Sequence, residues 1–356
     1  MEKEIAEGGG GTMDPLPLVS VVIPCFNVEH RMKHFMESLL RQTYRKLELI
    51  FIDDGSTDQT AACIRHYKPL FEKRNMIVNY IYQKNSGLGS AIHHGLKEIH
   101  GEFLAWPDPD DWLSDESIER KLEFLLAHPE YGVVTSNAYI YEAHNMSRPI
   151  SRVAEPVTEE TTSEYQFELL LRYRSIFCPG CHLMRVSALQ DVNSEFDIFE
   201  ARRGQNFQLL LPVYYKYKRY FLDECLYHYV IYADSMSRGD DTLDKEMIRE
   251  DELLEILIET LNRIQMPERE RDKYIQMVQA DSIKTRFWKA YIYGDTGQLH
   301  SMYKKLSQWN AVSYKIAAAN VIGHFALSRR ISISVNKIRH TICRELIKSE
   351  INKRKK

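Results

Sequence analysis

From residue 18 to about 142, short apolar runs alternate with stretches in which apolar residues recur every three or four positions. The first run, LVSVVIPCFN, is continuous and rich in β-branched residues, as a strand covered on both faces requires. In EHRMKHFMESLLRQT, the residues Met32, Phe35, Leu39 and Leu40 then fall on one helical stripe. LELIFIDDGSTD, a helix over about 58–72, VNYIYQ, a helix over about 88–99, and GEFLAWPDPDD continue the series. DESIERKLEFLLAH and YGVVTSNAYIYEA complete it. Strands alternating with helices of this length predict an α/β fold with a mostly parallel, doubly wound sheet. Such sheets bind ligands beyond the carboxyl ends of their strands.

Beyond about residue 155 the alternation loosens. SEYQFELLLRYR and GQNFQLLLPVYYKYK have helical spacing, CHLMRVSAL is short and mixed, and RYFLDECLYHYVIY reads as a closing strand. Long charged amphipathic helices begin at DKEMIREDELLEILIETLNRI, which places a boundary at the loop near 240–245. The expected division is therefore a disordered leader (1–17), two halves of one α/β domain (18–142 and 143–240) and a helical C-terminal region (241–356).

The acidic residues fall where that sheet would bind a ligand. Asp53 and Asp54 close the second strand, and Asp108, Asp110 and Asp111 follow the fourth within four positions. Asp58 reads as an ordinary turn or cap, and Ser114 as the cap of its helix. Crowded carboxylates repel unless a cation joins them, and a hard divalent ion takes carboxylate oxygens. A carboxylate-x-carboxylate turn at a strand end can hold Mg²⁺ or Mn²⁺ against a bound nucleotide's phosphates. A magnesium-dependent phosphotransferase would use the same pattern.

Composition narrows the class. The chain has 356 residues, 44% of them apolar, enough for a full core, and a net charge of −3, which argues against general nucleic-acid binding. The longest apolar candidate, near 311–327, is broken by Lys315, Asn320 and His324, so no membrane-spanning helix is expected. No secretory signal opens the chain, and six scattered cysteines suit reduced thiols in the cytoplasm. Cys178-Pro-Gly-Cys181 with His182 offers half a zinc site, but no second close pair exists, which favours a tight turn.

The segments VSVVIPCFN, RQTYRKLELIFIDDGSTD, NSGLGSAIHHGL and GEFLAWPDPDDW, in that order and spacing, resemble the nucleotide-binding half of family 2 glycosyltransferases. The resemblance covers about 18–142 strongly and 175–240 more weakly. It implies a GT-A fold (a Rossmann-like, mostly parallel sheet flanked by helices), here with a C-terminal helical extension. It also implies sugar transfer from a nucleoside-diphosphate sugar to a glycan or lipid-linked acceptor, with Mn²⁺ or Mg²⁺. By the family pattern Pro24, Asn27 and Asp54 line the nucleoside pocket; from their strand-end position alone, Asp53 and Asp54 are placed to accept hydrogen bonds from base N–H or ribose hydroxyls. Asp108 and Asp110 match the acid-x-acid metal motif, and Asp111 follows it. A Rossmann dehydrogenase is set aside, because PCFNVEH stands where its Gly-x-Gly-x-x-Gly turn belongs.

Three departures bear on mechanism. Ile92-His93 replaces an Arg-Asn pair whose Arg meets the diphosphate, which leaves neutralisation to the metal, to Lys84 or to another group. Gln205-Asn206 replaces the Glu-Asp that carries the expected base, and an amide has no usable basicity. Asn206 then holds substrate while Glu200 or Asp197 is the base, or the reaction takes a retaining route, or the protein binds a nucleotide sugar without turnover. In YVIYADSMS, Tyr229, Ser235 and Ser237 keep the family's places while Val230 and Tyr232 replace Arg and His, with Asp234 or Arg238 as substitutes. Trp106, Trp112 and the run VYYKYKRYF are packing groups or sugar-stacking surfaces.

The tail SRRISISVNKIRHTICRELIKSEINKRKK carries far more Lys and Arg than acid, with Val335, Ile338, Ile342 and Leu346 on one helical face. That pattern suits an anionic membrane surface, hence a cytoplasmic protein peripheral to the inner face of the membrane; a terminal helix packed on its own domain is the alternative.

Overall fold

The computed structural model describes residues 16–233 and 242–325. Within them the chain forms two compact units, one of residues 16–167 and 175–230, the other of residues 168–174 and 231–325.

The first unit begins with β1 (Val19–Cys25), α1 (Lys33–Arg41), β2 (Leu47–Asp54), α2 (Thr60–Glu72), β3 (Ile77–Gln83), α3 (Leu88–Lys97) and β4 (Phe103–Ala105). Every residue of β1 and β2 is buried, which is why both read as continuous apolar runs. From α1, Phe35, Met36 and Leu39 pack into the same core as Leu49, Phe51 and Phe71. At roughly 1.5–3 kcal/mol per fully buried side chain, these contacts hold α1 far more firmly than its intrinsic propensity does. β2 pairs in parallel with β1 and β3, and β1 in parallel with β4. The register sets Cys25 beside Asp53 and Asp54 beside Gln83, so the acidic strand ends share one edge.

The chain continues through β5 (Trp112–Leu113), α4 (Ser117–Ala127), β6 (Tyr131–Glu142), β7 (Ser151–Arg152), α5 (Glu159–Thr162), α6 (Phe167–Leu171), β8 (His182–Arg185), α7 (Val186–Val192), α8 (Gln205–Lys216) and β9 (Lys218–Ile231). The strand order is β3-β2-β1-β4-β8-β6-β9-β5, with β7 on β6. The expected parallel pairing is present in β1–β4, and the rest of the sheet is mixed. β8 is inserted antiparallel between β4 and β6, and the β5–β9 and β6–β7 pairs are also antiparallel. A parallel neighbour needs a crossover helix, and the stretch between β6 and β8 provides only the short α5 and α6. The expected long helix over SEYQFELLLRYR shrinks to the five residues of α6.

Ser114 does not cap α4. Its hydroxyl donates to Cys225 O (3.1 Å) and meets His228 Nε2 (3.0 Å), while Glu116 occupies the cap position with no side-chain bond. His228 also stacks on Trp112 (4.8 Å between ring centres) and contacts the Tyr141 hydroxyl. Burial pushes its imidazole down to about 4. A folded value below the unfolded 6.5 gives stability that is complete above pH 6.5 and lost as pH falls toward 4. The unfolding free energy is therefore expected to fall over that window by up to about 3 kcal/mol, and the melting temperature with it. In His228→Asn the drop should be smaller; an identical acid profile in thermal melts would show that another group carries it.

The second unit contains α9 (Leu243–Arg263), α10 (Glu268–Tyr293), α11 (Thr296–Gln308) and α12 (Tyr314–Gly323). Thr242, Asp295 and Ser313 cap three of them by accepting backbone N–H groups. Phe287, Tyr291, Leu299, Met302, Leu306 and Ile316 form its buried centre. No helix among the described residues is long and apolar enough to cross a membrane.

Candidate active site

The loops after β1 and β2 are laced into one rim. Asn27, in the left-handed region (φ 49°), accepts Thr57 N–H on Oδ1 (2.8 Å) and donates its own N–H to Ser56 Oγ (3.0 Å). Val28 N–H reaches Thr60 Oγ1, and Glu29 N–H reaches the Asp58 carboxylate, which also accepts Thr60 N–H. Pro24 is buried beside Ile52, one position before the end of β1.

Asp53 is fully buried; it accepts Ser56 N–H (2.8 Å) and the Tyr80 hydroxyl (2.7 Å). Asp54 accepts Gln83 Nε2 and Ser86 N–H, both at 2.8 Å, on one oxygen and Gly87 N–H (2.9 Å) on the other. It thereby fixes the loop that leads into α3. Gly87 sits at φ 94°, and a Cβ there would come within 3.0 Å of Arg202 Cα, so glycine is required by conformation and by space. Pro24, Asn27, Asp53 and Asp54 share one rim. Lys84 follows β3 with its side chain exposed.

Beyond β4, one carboxylate oxygen from each of Asp108, Asp110 and Asp111 lies within 4.8 Å of the others. Burial, then the neighbouring Asp110, pushes the Asp108 carboxyl up to about 8. Burial and both neighbours push Asp111 well above its usual range, against the hydrogen bonds it accepts from Val230 N–H and the Tyr227 hydroxyl, each 2.7 Å. Without a cation such a cluster retains protons, and a divalent ion would replace them. The donor set is all oxygen, clustered and anionic, and fits a hard divalent ion. Asp108 and Asp110 are the partly open members, while Asp111 is 1% exposed.

Other expected residues are placed differently. Asn206 is 3% exposed; its Oδ1 accepts Trp106 Nε1–H (2.7 Å) and its Nδ2 donates to Phe177 O (2.9 Å). Its amide is therefore engaged inside the protein, by the Trp106 indole and the Phe177 carbonyl. Asn206→Asp is expected to leave transfer no faster and to destabilise by about 1–3 kcal/mol, because a carboxylate facing the Phe177 carbonyl would lose a donor and be buried beside an acceptor. Kinetics together with a melting curve check this.

Asp197 and Glu200 meet His93 of α3, at Nε2 (3.3 Å) and Nδ1 (3.1 Å). Glu200 also borders an open cleft of about 270 Å³ with Gln83, Ser90, His93, His94 and Lys97, a lining that shares no residue with the acidic trio. Ile92 is buried. Trp106 stacks on His182 (5.7 Å) and Trp112 on His228, and Tyr220 stacks on Phe124 (3.9 Å), so these rings pack against the protein. Cys178 to Cys181 make a single 3₁₀ turn with free thiols, and His182 turns to Thr135 Oγ1 (3.0 Å); the plain turn is observed. Asp234, Ser235, Ser237, Arg238 and the basic tail lie outside the described residues.

Tyr227, His93 and Gln83 were missed from sequence. Tyr227 is 116 positions from the Asp111 it contacts, and no local spacing announces such a pair.

A model of the glycosyl transferase family 2 matches residues 20–192. Over that span the chain is similar to family 2 glycosyltransferases. Among curated relatives, the putative glycosyltransferase EpsE of Bacillus subtilis is 27% identical over 233 residues, 65% of this chain and 79% of that protein. Other glycosyltransferases match at 30–35% identity over 108–126 residues, between 15% and 48% of their own length. Among solved structures, Staphylococcus aureus TarS 1–349 in complex with UDP-GlcNAc has a TM-score of 0.58 at 18% identity, covering 88% of each chain. The mannosyltransferase PcManGT of Pyrobaculum calidifontis, in complex with GDP-Man and Mn²⁺, has a TM-score of 0.50 at 14% identity, covering 89% of this chain and 83% of that one. At these identities the two structures show the fold, a mixed α/β sheet flanked by helices with a helical C-terminal region.

Proposed function

We propose that this glycosyltransferase moves a sugar from a nucleoside-diphosphate donor to a glycan or lipid-linked acceptor in cell-surface polysaccharide synthesis, with Mn²⁺ or Mg²⁺ held by Asp108 and Asp110 and closed off by Asp111. The observation that carries this reading is the cluster of three carboxylates beyond β4, on the sheet edge that also ends in Asp53 and Asp54. When bound, the ion would neutralise the diphosphate leaving group. Pro24, Asn27, Asp53 and Asp54 form the nucleoside rim, and Lys84, exposed beyond β3, is a candidate for the diphosphate. TarS with UDP-GlcNAc and PcManGT with GDP-Man make UDP- and GDP-sugars the first donors to try.

The test is a thermal-shift screen of nucleotide sugars with and without Mn²⁺, since a ligand that binds only the native state raises the melting temperature. No shift with any donor, with or without metal, would sink the proposal. Stabilisation without turnover on any acceptor would favour the non-catalytic nucleotide-sugar-binding reading, which the burial of Asn206 supports. For an inverting transfer the base is Glu200 or Asp197; unchanged rates in Glu200→Gln and Asp197→Asn would leave the retaining route.

The basic tail supports a place for the enzyme on an anionic membrane surface on the cytoplasmic side. It follows α12, whose exposed face carries Tyr314, Ala318 and Val321 at helical spacing opposite buried Ile316, Ala319 and Gly323. Equal sedimentation with anionic liposomes by the full chain and by one ending at Ser328 would retire that assignment.

A further inference from the structure

One side chain outside the acidic trio touches the turn at both its ends. Tyr227, on β9, is fully buried, and its hydroxyl donates to Asp111 Oδ2 (2.7 Å) while accepting Asp108 N–H (3.3 Å). The turn also closes on itself through Asp111 N–H to Asp108 O (3.4 Å). Asp111 Oδ1 accepts Val230 N–H from the same strand, so its carboxylate is gripped on both oxygens.

The ring itself has no room to move on one side. Gly180 lies flat against it, and a Cβ there would fall 2.0 Å from Tyr227 Cε2. Gly180 O in turn accepts the buried Lys121 ammonium (3.0 Å). The Cys178-Pro-Gly-Cys181 turn, unused in the metal reading, therefore serves as the backstop for Tyr227.

We propose that Tyr227 is a positioning residue for the cation site: its hydroxyl ties both ends of the Asp108–Asp111 turn to β9, and so holds the Asp108 and Asp110 carboxylates around a single ion. Three mutually repelling carboxylates would spread apart if the turn were free, and an ion selects the geometry in which they are already gathered. Groups that hydrogen-bond metal-ligating carboxylates typically change metal affinity by about 10–100-fold when removed. This inference rests on the divalent-ion reading of the trio.

The experiment measures the dissociation constant of Mn²⁺ alone, by electron paramagnetic resonance of the free ion, for the full chain, Tyr227→Phe, Asp111→Asn and the double variant, each with a melting curve. Tyr227→Phe keeps the ring against Gly180 and removes only the hydroxyl. The expected result is about tenfold weaker Mn²⁺ binding in Tyr227→Phe, and a loss in the double variant smaller than the two single losses combined, because the two side chains share one of the contacts that hold the turn. Unchanged affinity in Tyr227→Phe, or additive losses in the double variant, would overturn the positioning role. Failure of the full chain itself to bind Mn²⁺ would instead overturn the metal reading on which it rests.

Discussion

Asp110→Asn is expected to lower Mn²⁺-dependent sugar transfer by about 10²–10³-fold while leaving the fold intact. Asp110 is partly open, and its charge raises the carboxyls of both Asp108 and Asp111. An amide offers the ion a weaker, neutral oxygen, so it takes away both ligand strength and charge. In the metal-free protein the same change relieves repulsion with two neighbours. The variant should therefore melt at or above the parent without metal, and lose the parent's extra stabilisation when Mn²⁺ is added. These opposite signs separate a ligand from a structural residue, since damage to packing would lower the melt in both conditions. Full retained transfer, with a parental response to Mn²⁺, would remove Asp110 from the site.

The donor side of the molecule was legible in the sequence because its signals are local. A continuous apolar run ending in Asp53-Asp54 states the strand, its burial and the place of its carboxylates together. Asp108, Asp110 and Asp111 lie within four positions, so their gathering needed no tertiary information. The second half resisted reading because its partners are remote. Whether the Asn206 amide faces substrate or Trp106 depends on a contact across 100 positions. That Glu200 and Asp197 meet His93 depends on how the segment before α8 crosses α3, where Gly89 N–H bonds Ala201 O (2.9 Å). The antiparallel insertion of β8 was hidden for a similar reason: four residues with mixed spacing carry no sign of direction.

Asp54→Asn should weaken binding of UDP or GDP by about 10–100-fold, and Asp53→Asn much less, although the two residues are adjacent and both buried. The difference lies in what their partners can do. Asp53 faces one backbone N–H and one hydroxyl, from Ser56 and Tyr80. An asparagine satisfies both, because its oxygen takes the N–H and its amide donates to a hydroxyl that turns to accept. Asp54 faces only donors: Gln83 Nε2 and two backbone N–H groups from Ser86 and Gly87. A backbone amide cannot reverse its role, so one of them must confront the new NH₂ group, at about 1–3 kcal/mol. The cost falls on the loop into α3, where Gly87 is already held at a positive φ against Arg202, and not on the core strands. Nucleotide affinity should therefore fall further than global stability, with a melting shift of only a few degrees. Isothermal titration of both variants with UDP and GDP decides the matter. Equal losses in the two would show that charge, not the pattern of fixed donors, is what the rim requires.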